Sequence, residues 1–234
     1  MTRDLSRREL IAAGGVTLAL AAVAGCGRGV LDGGKDEGDV SAGEDLMREH
    51  GVLERLIVVY DAAAHRIETG DRSVQSALGS AVRIARDFVE DYHERIEEQY
   101  VFPRFERAGK LVELVTVLRR QHDAGRGLTD RIATLLRGPL TAESDRAQLA
   151  AALRGYGTMF RPHVGREDTL VFPAFHELVG KQYADLGDKF EDEERAHFGA
   201  GGFEQFVAKL PPIEAAVGVA DLARFTVTAD GLNS

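Results

Sequence analysis

The sequence predicts an all-α protein: an up-down-up-down antiparallel four-helix bundle with extra C-terminal helices. Three observations predict it. Apolar residues recur in steps of three and four through four long segments, the mark of one buried helix face. The breaks between those segments are short, which places consecutive helices side by side and antiparallel. The composition is rich in Leu, Ala, Val, Glu and Arg, with 6 Pro and no Trp in 234 residues, a profile that favours helices.

The four segments lie between Glu44 and about residue 180, with stops predicted at Gly70-Asp71, Ala108-Gly109 and Gly138-Pro139. The first seam reads Leu46, His50, Leu53, Ile57, Tyr60. The second reads Leu78, Val82, Ala85, Val89, His93, Glu97, Tyr100. The third reads Leu111, Val115, Leu118, His122, Gly125, then Ile132 and Leu135. The fourth reads Leu149, Leu153, Tyr156, Phe160, His163, Glu167, Leu170.

Two segments share a motif. HERIEEQYVFPRF, from His93, and HVGREDTLVFPAF, from His163, both read H-x-x-x-E, then an acid, then V-F-P-x-F. Two copies at matched positions imply two helices with one job. The Val-Phe-Pro run reads as an apolar plug and a helix kink beyond the paired residues.

Polar residues interrupt the seams. His50, His93, Glu97, His122, His163 and Glu167 sit on faces that are otherwise apolar. Burying an unpaired carboxylate costs several kcal/mol, on the order of 3 or more. Two carboxylates converging with four imidazoles therefore need a shared counter-charge, and metal ions supply one. A His and a Glu at i, i+4 stand about 6 Å apart along one face, so both can reach one centre. Mixed nitrogen and oxygen donors suit iron or manganese more than zinc. Glu98 and Asp168 are placed at the rim, or as acceptors for the ligand imidazoles. Glu94 is expected to point away, and His65, His176 and His197 are expected at the surface.

The N-terminus is expected to lie outside the fold. Residues 1–25 carry Arg7-Arg8 and then a short apolar run ending in small residues, which reads as a signal peptide. The arginine pair resembles a twin-arginine export signal. Val23-Ala24-Gly25-Cys26 resembles a lipobox, making Cys26 the lipidation site and the membrane contact. Cys26 is the single cysteine, so the chain has no internal disulfide and no cysteine cluster for zinc. Residues 26–43 read as a flexible tether, 44–180 as the bundle, and 181–234 as a helical extension without a site of its own that is solvated and caps one bundle end. A net charge of -9 argues against nucleic acid as a partner.

These residues resemble the hemerythrin-like, or HHE cation-binding, domain. The resemblance rests on DLMREHGVLERL with His50, the two H-x-x-x-E motifs with Phe-Pro after them, and His122, over about residues 43–180. It implies a four-helix bundle around two non-haem iron ions (manganese is the lesser choice), with the six residues as ligands and one or both glutamates bridging. Oxygen-carrying members have a second His one turn after the third-helix His, where this chain has Arg126. They end on H-x4-D, where Glu167 and Asp168 compete for the last ligand position. A ferritin-like site would need E-x-x-H twice. Glu90 supplies it once, and Phe160 stands at the matching position of the second copy.

Three functions are compatible with this reading: an exported, membrane-anchored di-iron protein that binds oxygen or nitric oxide, a di-iron enzyme acting on peroxide or oxygen, and a non-catalytic iron-binding module. Enzyme activity stays open at this level.

Overall fold

A computed structural model describes residues 40–227. Within them the protein is all-helical, as expected. Helix α1 is Ala42–Glu68. Helix α2 is one rod over residues 75–108, and helix α3 is Val112–Leu136. Helix α4 is a second rod over residues 143–179. Helices α5, Tyr183–Phe198, and α6, Glu204–Val217, follow.

The ends are set by local chemistry. Ser41 and Glu44 form a reciprocal capping box at the start of α1, which satisfies two N–H groups the helix leaves open. Gly70 and Gly109 take positive φ where α1 and α2 stop, the left-handed geometry that glycine adopts at little cost.

Side-chain pairs fix the direction of each helix. Asp61 pairs with Arg161 and Glu68 with Arg154, so α1 and α4 run antiparallel. Glu106 meets Arg119, and Asp130 meets Arg86, so α2 and α3 do the same. Arg131 bonds Gln148, while Gly125 lies against Phe160, so α3 and α4 do too. The core between them is continuous and includes Leu53, Ile57, Phe88, Leu118, Leu153 and Phe160.

Both rods contain wide π turns. In α2 these are Ala85–His93 and Glu97–Val101, and in α4 the turn is Glu167–Val171. The repeated proline explains the matched pair. Pro103 and Pro173 have no N–H to give, and their rings crowd the preceding turn. The wide turn makes room, and the N–H groups of Phe102 and Phe172 reach back to the carbonyls of Glu97 and Glu167. Such turns occur mainly at functional sites.

The wide turns correct two seam positions. A step of three from Glu167 predicts a buried Leu170, and the same step from Glu97 predicts Tyr100. Leu170 is 50% exposed, whereas Val171 and Val101 are fully buried. The extra residue in the turn moves the apolar position on by one. Leu111, 39% exposed, also leaves its predicted seam; it lies before α3 with φ 50°.

The extension differs more from its expected form. It is not a solvated cap on a bundle end. Helix α6 lies along the flank of α1, where Arg48 meets Glu204 and Arg55 makes a two-pronged bond to Glu214 at 2.6 and 2.8 Å. Phe190, Phe206, Leu210 and Ile213 are buried there, with Phe206 against Phe88 at 4.8 Å between ring centres. No helix among the described residues is long and apolar enough to cross a membrane. Residues 1–39, with Cys26, the signal reading and most of the tether reading, lie outside the described residues; the predicted tether runs too far at its end, since Ala42 and Gly43 are buried in the first turn of α1, which the Ser41–Glu44 capping box starts there.

Candidate metal centre

All six predicted ligands are buried and converge. Glu97, His122, His163 and Glu167 bring one donor atom each within 4.8 Å of one another, and His50, His93 and Glu97 form a second such group. Glu97 belongs to both. Glu167 Oε2 lies 2.9 Å from His163 Nε2 and 3.4 Å from His50 Nε2, so it too stands between the groups. Glu97 lies 3.7 Å from His93 Nε2 and 3.4 Å from His122 Nε2. Two carboxylates thus span two pairs of imidazoles, one pair on α1 and α2 and one on α3 and α4.

Each imidazole turns Nε2 inward and gives Nδ1 an outer acceptor. The acceptors are Asp168 for His50 at 2.7 Å, Glu49 for His93 at 2.9 Å, Glu98 for His122 at 2.9 Å and Gln121 for His163 at 2.9 Å. An acceptor on Nδ1 fixes the tautomer that leaves a lone pair on Nε2, the arrangement of metal-ligating histidines. The Phe-Pro phenylalanines brace the rings: Phe102 stacks on His122 and Phe172 on His50.

Electrostatics fit a cation in this space. Neither oxygen of Glu97 or of Glu167 has a hydrogen bond of good geometry. Nε2 of His122 faces Nε2 of His163 at 3.2 Å. With both Nδ1 protons committed outward, two lone pairs meet there, an arrangement that a proton or a metal ion relieves. Burial, reinforced by Glu167, pushes the Glu97 carboxyl well above its usual range. Burial opposes ionisation of Glu167 as well, but His163 and His50 outweigh it and hold that carboxyl low. Burial also lowers His93 and His122, whereas the carboxylates of Asp168 and Glu167 overcome it at His50 and raise that ring to about 9. Two divalent cations would replace the protons this network otherwise holds.

Asp168 takes the acceptor role expected of it, whereas several other roles differ. Asp168 faces outward from the centre and bonds His50 Nδ1, beside the group rather than in it. Glu94, expected to point away, is buried and bonds Arg126 at 2.9 Å, with burial raising its carboxyl strongly. Arg126 also holds Glu98 at 2.8 Å, so this guanidinium serves the acids behind His122. Glu90 joins none of the ligand groups among the described residues. Glu49 and Gln121 were not foreseen. Their signal in the sequence is their place directly before His50 and His122. His65, His176 and His197 are exposed, as expected.

The family model described as the hemerythrin HHE cation binding domain matches residues 41–175. The chain belongs to the hemerythrin HHE cation-binding family. Membership implies metal-ion binding, typically of iron, and the buried His/Glu cluster fits such a site. Proteins similar to this chain include the uncharacterized proteins Rv1995 and MT2051 of Mycobacterium tuberculosis and Mb2018 of Mycobacterium bovis. Each is 40% identical over 232 residues, which cover 95% of this chain and 91% of the relative. No solved structure matches the chain significantly.

Proposed function

We propose that this hemerythrin-like protein holds two non-haem iron ions and binds a small diatomic ligand, oxygen or nitric oxide, in storage, sensing or scavenging. The observation that carries the reading is the set of four imidazoles, each with Nε2 inward and Nδ1 held, around two shared buried carboxylates. His50 and His93 would hold one ion and His122 and His163 the other, with the carboxylates of Glu97 and Glu167, which lie between the two pairs, as the remaining donors. Iron bound there supplies ligand binding and electron transfer. The chain's own part is to orient the rings, balance the charge and keep bulk water out with Phe102 and Phe172.

The test is to purify the protein, count its metals, and record absorption with oxygen, nitric oxide and peroxide. Two irons per chain and a reversible band are expected. Absence of iron, or full iron content in a His93→Ala, His163→Ala double variant, would overturn the reading.

Arg126 favours a second reading, an enzyme acting on peroxide or oxygen. The guanidinium is turned to Glu94 and Glu98, so it adds no donor where oxygen-carrying members have a further imidazole. Steady consumption of peroxide would select this reading. In both, the protein is exported and anchored through Cys26. An unchanged membrane fraction of a Cys26→Ser variant would count against the anchor.

A further inference from the structure

The six ligands are arranged alike in the two halves, but their supports are not. The α1–α2 and α3–α4 hairpins place corresponding residues at the site. Glu49-His50 corresponds to Gln121-His122, and His93, Glu97, Glu98 and Phe102 correspond to His163, Glu167, Asp168 and Phe172. Each half lends the other the acid after its glutamate, and supports its own second His with the residue before its first. Three of the four outer acceptors are therefore carboxylates and the fourth, Gln121, is an amide.

The imbalance falls on one side. His50 and His93 both give Nδ1 to carboxylates. Of the other pair, only His122 does, and its acceptor Glu98 is shared with Arg126 at 2.8 Å. Glu49 also stands within 4.8 Å of the carboxylates of Asp45 and Glu194, all three buried. Glu194 comes from α5, so the extension reaches the residues behind His93 and has no matching element behind His163 among the described residues. A carboxylate acceptor makes an imidazole a better donor to a metal than an amide does, and loss of such a partner typically costs about 10–100-fold in affinity.

We propose that the two metal positions are unequal: the one framed by His50 and His93 binds its ion first and more tightly, and the Glu49/Gln121 difference sets that order. This rests on the two-metal reading above. Glu49 and Gln121 act as positioning residues, through His93 and His163.

Cobalt(II) is the probe, titrated anaerobically into the full chain stripped of metal, with visible absorption and calorimetry as readouts. Two resolved steps are expected. His163→Ala should keep the tighter step and His93→Ala should lose it. Glu49→Gln should weaken that step about 10–100-fold. Gln121→Glu should strengthen the second step and merge the two, a gain that damage to the fold does not produce. Two ions taken up in one unresolved step, or a split left intact by Gln121→Glu, would overturn this proposal alone. No uptake at all would overturn the two-metal reading and this proposal with it.

Discussion

The first hairpin, α1 with α2, and the second, α3 with α4, perform the same local task in different surroundings. Each supplies two inward imidazoles, one shared glutamate and one bracing phenylalanine. The second stands with an amide at Gln121 and an apolar Val164 where the first has Glu49 and a buried Glu94. Only the first is flanked by α6, through Phe206, Arg55 and their partners. The comparison teaches that matched ligands do not make matched sites. The acceptors Glu49 and Gln121 and the cover behind them distinguish the halves, and neither belongs to the repeated motif.

The largest expected effect tests what the hairpins share. Glu97→Ala and Glu167→Ala should each abolish binding of both ions, because each carboxylate stands between the two pairs of rings. Metal analysis checks this, and retention of one ion by either variant would break the symmetry of the shared pair. The metal-free Glu97→Ala variant should be at least as stable as the metal-free wild type, since it loses a carboxylate that burial disfavours, whereas Glu167→Ala strips His50 and His163 of their buried partner and should be less stable.

Next in size is the cover over the first hairpin. Phe206 is buried against Phe88 and Phe198. Phe206→Ala should cost about 3–5 kcal/mol, the range for emptying an aromatic core site. Denaturant unfolding measures it, and a loss below about 1 kcal/mol would return the extension to a dispensable role.

A smaller effect probes the second hairpin, where α3 and α4 approach most closely. A Cβ on Gly125 would stand 2.6 Å from Phe160, whose ring lies 5.2 Å from that of His163. Gly125→Ala should cost about 1–3 kcal/mol by overpacking and weaken metal retention on the His163 side first. Equal weakening on both sides would show that the hairpins are mechanically one unit.

The smallest is the cap on α1. Ser41→Ala should cost about 1 kcal/mol. The Ser41 backbone N–H holds Glu44 below its usual value of 4.5. The contribution of that bond is therefore fully present above pH 4.5 and fades as pH falls through the lower folded value. Thermal unfolding of the wild type and a Glu44→Ala variant, which lacks that acceptor, should show their difference shrinking in acid across that window.

The sequence by itself determined the helices and the six buried His and Glu residues that converge. Both follow from one-dimensional spacing: apolar steps of three and four mark a buried face, and His and Glu at i, i+4 on that face must meet whatever packs there. Glycine placed the turns after α1 and α2 because its backbone tolerates positive φ. Tertiary structure decided what spacing does not carry. Leu170 gave way to Val171 because a wide turn before Pro173 adds a residue to the register. Glu94 turned inward because Arg126, on another helix, was there to receive it. The acceptors Glu49 and Gln121 lie 44 and 42 residues from the rings they hold, a distance that only packed helices close. The extension found its place along α1 because the buried faces of Phe206 and Ile213 needed a partner, and the flank of the first hairpin provided it.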